Sequence, residues 1–378
     1  MISEFRKSNI YIYAVLAYMP VMMLSNIVGV KINYFLAFLI AVMAVEKAFL
    51  RKSTSILFMF IVFVLVLKVF GVGWYGVKPV IICLFGSLVV YRFVECFKAL
   101  SAQSKIFVNK IIMTCSLAVF LVLVMQYFGL IPNKVGAMNF VNTAGIDIFG
   151  EYSDRERPSA YFYHPYDTAL SIMPLIVWLY YRGVGFSGYF FGLSASLVIA
   201  FVLGLKVFVL FCFLLFFLKK IEGRVGAFFV VLFYVFLMFS FYFVSLFDYT
   251  DQAVSISAGR LYIWGLMTDV YLSGLGWFDF ILGSGKDLLF GSYYWDYEDT
   301  YTPHNLYLFS FYYMGFVLVV AFLIMLYKLL DYERSIVYVF FILMISLAVT
   351  GDLMVFLAFW VFICQAYAVI FFNRVERK

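Results

Sequence analysis

The chain has 378 residues, of which 66% are hydrophobic and 13% charged, with a formal net charge of +6 and a mean hydropathy of +1.03. A soluble domain is nearer half apolar and a quarter charged, so this composition excludes a soluble fold and makes a bilayer the solvent. No nucleic-acid partner is expected.

In chain order, apolar runs bounded by charges or turn residues predict spans over roughly 9–29, 32–48, 54–71, 77–94 and 109–129. Others follow over roughly 165–181, 186–203, 205–218, 225–246, 305–327, 336–350 and 353–372. A span needs about 20 predominantly apolar residues. The runs at 186–203 and 205–218 also admit one bent or re-entrant element. No small-residue cleavage site follows the N-terminal Met1-Ile-Ser-Glu-Phe-Arg-Lys7, so the first run reads as a retained helix rather than a signal peptide. The expectation is an all-α polytopic integral membrane protein, a single helical domain over 1–378. It has about twelve transmembrane helices and two large loops, 130–164 and 247–304.

Charge supplies the orientation. Arg6 and Lys7, then Arg51 and Lys52, Lys98 and Lys105, Arg182, Lys219 and Lys220, Lys328 and Arg334, and Arg374 and Arg377 fall in alternate loops. By the positive-inside rule these loops and both chain ends are cytoplasmic. The opposite loops hold most of the acids, among them Asp147, Glu151, Asp154, Asp248, Asp251 and Asp296. Cys83, Cys96, Cys115, Cys212 and Cys364 lie in apolar stretches or at their ends, with no CxxC and no metal-ligand spacing. They read as small core residues.

Connections as long as 130–164 and 247–304 are usually functional or disordered, and their wealth of Tyr and Trp favours function. Trp264, Trp277 and Trp295 suit the headgroup level, and 259–272 reads as an interfacial helix. Both histidines of the chain, His164 and His304, close these loops beside prolines. Arg155, Arg157 and Arg260 place positive charge on the face that otherwise avoids it, and Lys206 lies near the same face. An anionic ligand is one local reason, because an arginine fork and a helix N-terminus both suit phosphate.

Each residue also has an ordinary reading. Arg155 has Glu151, Asp154 and Glu156 as ion-pair partners. Arg157 can be a solvated charge, Arg260 and Lys206 can snorkel, and either histidine can be an interfacial aromatic. The acids Asp296, Glu298 and Asp299 suit a solvated run better than a divalent-cation site.

The order of these segments resembles the O-antigen polymerase and ligase superfamily. Arg157-Pro-Ser-Ala-Tyr-Phe-Tyr-His-Pro-Tyr-Asp167 is similar to the family's arginine, small residue, aromatic and His/Asn-Pro helix start. Gly259-Arg260-Leu-Tyr-Ile-Trp264 resembles the Gly-Arg…Trp element that opens the family's large outer loop, and Leu282-Gly283-Ser-Gly285 resembles its Gly-x-Gly. His304-Asn305-Leu-Tyr-Leu308 with Gly315 resembles the His-Asn helix start that closes it. The resemblance covers roughly 155–315. Ala160 stands where glycine is common, Lys206 stands where ligases tend to carry Ser-Arg, and neither Arg157 nor Arg260 meets the Arg-x10-Gly spacing of some polymerase loops.

The resemblance implies a polymerase in the bacterial inner membrane, with its active site facing the periplasm. It would join undecaprenyl-diphosphate-linked oligosaccharide repeat units, without a metal or any other cofactor, and a chain-length regulator is an implied partner. Arg157 and Arg260 would stabilise the leaving lipid diphosphate, with Lys206, Arg155, His164 and Asn305 as further binding residues and His304 as the base. A ligase that moves finished polysaccharide to the lipid A core is the nearest alternative. A lipid-linked oligosaccharide flippase is a second, but the polar residues crowd two asymmetric loops rather than mid-membrane helix breaks.

Overall fold

The computed structural model describes residues 2–48, 61–62, 64–66, 74–132, 145–146, 152–153, 158–162, 165–182, 186–203, 225–247, 261, 264–265, 268–269, 277–283, 289–291, 298–300, 305–334, 336–337, 339 and 357–375. The helices are α1 (Ile2–Val28), α2 (Ile32–Ala48), α3 (Trp74–Lys98), α4 (Ala102–Tyr127), α5 (Pro165–Arg182), α6 (Phe186–Leu203), α7 (Ala227–Val244) and α8 (Trp277–Leu282). Then come α9 (Leu306–Phe309), a π-helical turn (Ser310–Met314), α10 (Gly315–Tyr332) and α11 (Leu357–Val375). Each long loop contains one short antiparallel ladder: β1 (Gly145–Ile146) with β2 (Tyr152–Ser153), and β3 (Leu289–Gly291) with β4 (Glu298–Thr300).

The protein is a multi-spanning, all-helical membrane protein, but the expectation of about twelve spans is corrected. Among the described residues five helices are long and apolar enough to cross a membrane: Asn9–Val28, Val80–Lys98, Ala102–Tyr127, Ala227–Val244 and Tyr307–Tyr332. Four other expected spans are shorter apolar helices: Ile32–Val45, Tyr166–Tyr180, Phe190–Leu203 and Leu357–Phe372. The runs predicted at 205–218, and most of 54–71 and 336–350, lie outside the described residues.

Hydropathy overcounts because protein interior and lipid select the same side chains. Every residue of α11 from Ala358 to Ile370 is buried, and the helix packs against α1, α3, α4 and α5. It is apolar all round because helices surround it, not because it faces lipid. Gly86 of α3 permits the closest of these approaches, since a β-carbon there would fall inside the Trp360 indole. The contrasting case is α7, where Val230, Tyr234 and Met238 form one buried stripe while Phe228, Phe236 and Phe243 point outward.

Local signals set the ends of α4. Ser101 caps its start, accepting from the Ser104 N–H at 3.2 Å. At the other end Gly129 adopts φ +70°, Gly129 N–H donates to Gln126 C=O and Leu130 N–H donates to Met125 C=O. This is a Schellman closure, which needs a left-handed residue at the glycine position.

Three contacts identify one end of the bundle. Lys98 Nζ lies 2.7 Å from the Glu333 carboxylate, joining the last turn of α3 to the residue after α10. Lys105 Nζ in the first turns of α4 donates to the Lys98 carbonyl and lies over the Phe371 ring near the end of α11. Tyr13 of α1 meets Phe107 of α4 edge-on. The far end of α4, with the residues that follow Tyr127, and the start of α10 at Gly315 therefore share the opposite end.

Candidate functional site

At that opposite end the described residues form two polar junctions. The first holds the segment that follows Arg157. Val108, Asn109, Ile112, Ser116, Val119, Leu123 and Gln126 make the buried stripe of α4, and Gln126 is its last member. Its Oε1 accepts from the backbone N–H groups of Ser159 (3.1 Å) and Ala160 (2.7 Å), and its Nε2 donates to the Pro132 carbonyl at 3.3 Å. One buried side chain thus joins the two edges of the 130–164 loop.

Residues 159–162 form a tight turn closed by the Phe162 N–H donating to the Ser159 carbonyl at 3.0 Å. Its central residues, Ala160 and Tyr161, have φ +47° and +65°. Two positive φ values in sequence are the pattern of a type I′ turn, which glycine, asparagine and aspartate adopt far more easily than alanine or tyrosine. Neighbouring helices hold the strained turn. Asn26 of α1 donates to the Tyr161 carbonyl at 3.0 Å, and the Thr168 hydroxyl of α5 donates to the Ser159 carbonyl. Asp167, in the first turn of α5, is buried beside them.

The second junction docks the 247–304 loop on the bent rod formed by α9, the π turn and α10, whose backbone turns at Gly315 (φ +67°, ψ 169°) so that Tyr307 and Phe322 both pack on the Tyr234 ring. Asn305 is fully buried, and its Oδ1 caps α9 by accepting from the Tyr307 and Leu308 N–H groups at 2.9 and 3.1 Å. Trp264 packs with Leu308 and Tyr312 and meets Phe241 edge-on at 5.4 Å. The Thr268 hydroxyl bonds Tyr312, lies 2.6 Å from Ser245 Oγ and donates to the Trp264 carbonyl at 2.9 Å. The Ser310 hydroxyl of the π turn bonds the Tyr234 hydroxyl of α7. Gly315, at φ +67°, lies against the Leu282 and Gly283 backbone so closely that a β-carbon has no room. A π turn is rare and occurs mostly at functional sites.

Of the sequence-predicted residues, Arg155, Arg157, His164, Lys206, Arg260 and His304 lie outside the described residues, and Asn305 is the described one. The structure brings together the described parts of three segments: Trp264 from the Gly-Arg…Trp stretch, Leu282 and Gly283, and Asn305 with Gly315. The segment after Arg157 is held separately, by α1, α4 and α5. At 261, 264–265 and 268–269 the chain is helical, as expected for 259–272. Trp264 is buried against protein, whereas Trp277 is 84% exposed.

Gln126, Asn26, Thr168, Ser245, Thr268 and Tyr312 were not anticipated. The available signal was a polar side chain near the end of an apolar run, where it must find a partner inside the protein. Cys83, Cys96, Cys115 and Cys364 are free thiols, the first two and the last buried. Among the described residues no group of three or more His, Cys, Asp or Glu side chains is placed to hold a metal. Comparison with protein-family models, curated proteins and solved structures finds no match.

Proposed function

We propose that the chain is a glycosyltransferase of the O-antigen polymerase type, joining undecaprenyl-diphosphate-linked oligosaccharide repeat units at the periplasmic face of a bacterial inner membrane. One observation carries the reading. Described residues of all four motif-like segments, among them Ser159, Trp264, Gly283 and Gly315, lie at one end of the bundle, opposite the end that holds Lys98 and Lys105. By the positive-inside rule the lysine-bearing end is cytoplasmic.

In this reaction the acceptor hydroxyl attacks the anomeric carbon of the donor while the bond to the lipid diphosphate breaks. Negative charge grows on the departing phosphate oxygens, and cations that bind it more tightly in the transition state lower the barrier. Arg157 and Arg260 take this role, with Lys206 a third cation and Arg155, His164 and Asn305 completing the donor site. His304 accepts the acceptor's proton. A helix start and nearby cations both favour its neutral form, the one able to act as a base.

The test is incubation of purified protein with one defined lipid-diphosphate repeat unit. A ladder of extended products is expected, and His304→Ala is expected to abolish it or reduce it strongly. The unmet Arg-x10-Gly spacing favours the ligase alternative, in which product forms only when lipid A core is added. Transbilayer movement of the donor without any new glycosidic bond would make the protein a flippase. A wild-type ladder that survives His304→Ala at full rate rejects the base assignment.

A further inference from the structure

We infer that Gln126 is a positioning residue for the candidate site, its side-chain oxygen holding the strained turn at Ser159–Phe162 and hence the backbone that carries Arg157. The inference rests on the proposed function for its activity readout and on the geometry alone for its structural one. Successive backbone N–H groups that converge on one point form a nest, a concavity that takes an anion or a polarised oxygen. Ser159 and Ala160 make such a nest, and its occupant is Gln126 Oε1, at 3.1 and 2.7 Å.

The turn does not hold itself. Ala160 and Tyr161 both sit at positive φ, a conformation that opposes L side chains at each position. Ala160 is wholly buried and Ser159 nearly so, so water does not replace the glutamine oxygen. The carbonyl groups on the other side of the turn are fixed by Asn26 and Thr168. Without Gln126 the two N–H groups have no acceptor, and the turn relaxes by rotating Ala160 out of the left-handed region.

The test compares Gln126→Leu, Gln126→Glu, Ala160→Gly and the double variant Gln126→Leu/Ala160→Gly. Gln126→Leu removes the acceptor. Gln126→Glu keeps it, loses the donor to Pro132 and adds a carboxylate, which the two N–H groups of the nest can stabilise. Ala160→Gly removes the strain the clamp opposes. Because a small displacement of a charge-stabilising group lowers turnover steeply, Gln126→Leu is expected to reduce kcat by more than about tenfold per folded molecule, with KM for the donor changed by less than about threefold. Gln126→Glu is expected to recover most of that loss. Ala160→Gly should make the leucine substitution less damaging, a coupling that a merely structural glutamine does not produce.

Hydrogen exchange supplies the readout that needs no activity and no clamp variant. In the wild-type protein the Ser159 and Ala160 amides are expected to exchange far more slowly than those of exposed turns. Rapid exchange at both, or wild-type kcat in folded Gln126→Leu, overturns the inference. If wild-type protein makes no product, the functional reading fails, while slow exchange at these two amides still upholds the clamp.

Discussion

Thr268 has an outsized part in docking the 247–304 loop, and counting protons shows why. Ser245, Thr268 and Tyr312 bring three hydroxyl protons. The Ser245 hydroxyl donates to the Tyr242 carbonyl at 2.7 Å, so Thr268 donates toward Trp264 or Ser245 and receives from Tyr312. Thr268 is the relay between the loop and the rod, whereas Tyr312 is a terminal donor. Thr268→Val keeps the shape but takes away the oxygen that two buried hydroxyls share, at a cost of about 1–3 kcal/mol. Tyr312→Phe removes one donor and should cost about 0.5–1.5 kcal/mol. Thermal unfolding in detergent should therefore rank Thr268→Val below Tyr312→Phe, and the reverse order would refute the relay. The sequence partly disclosed this scale: Ala160 stood out against an expected glycine, and the positive φ supplies the reason. Gln126, Thr268 and Tyr312 gave no such sign, because their partners are 23 to 44 residues away and one sequence records no pairing.

Among the elements, the rod at 305–332 is the organising piece. It opens with an asparagine cap, passes through a π turn and continues as α10 from Gly315, whose φ of +67° only glycine adopts without strain. That conformation and the missing β-carbon allow the end of α8 to lie against the rod. Gly315→Ala should therefore push α8 away while leaving α10 helical, since the strained residue is the first of α10 and the ladder beyond it is untouched. Limited proteolysis should then cut near residues 277–283 sooner than in the wild type, at unchanged helical content. Equal cleavage rates would mean that the close approach does not hold α8. The existence and order of most long helices were legible from apolar runs, but their role was not. A run such as 357–372 is as apolar as a span, yet its helix is enclosed by four others. What separates a buried helix from a lipid-facing one is its surroundings, and these depend on segments far away in sequence.

For the molecule as a whole, the decisive property is that both long loops open on one end of the bundle. Lys98 and Glu333 meet at one end. From there α4 runs 26 residues, or about 39 Å at 1.5 Å per residue, to its Schellman closure. α10, which leads to Glu333, begins at Gly315 on the same far side, and Asn26 at the end of α1 reaches Tyr161 there. Alternation of charge pointed to this arrangement from the sequence, because basic loops recur on one side at any number of spans. The test uses single cysteines in a background lacking Cys83, Cys96, Cys115, Cys212 and Cys364, labelled with an impermeant maleimide on sealed vesicles of known sidedness. Leu130→Cys and Trp277→Cys, both at exposed positions, should label from one side. Ser101→Cys, at the exposed turn between α3 and α4, should label only from the other. Should Leu130→Cys and Trp277→Cys react from opposite sides, the two junctions do not share a compartment, and a single active centre drawing on both loops is impossible.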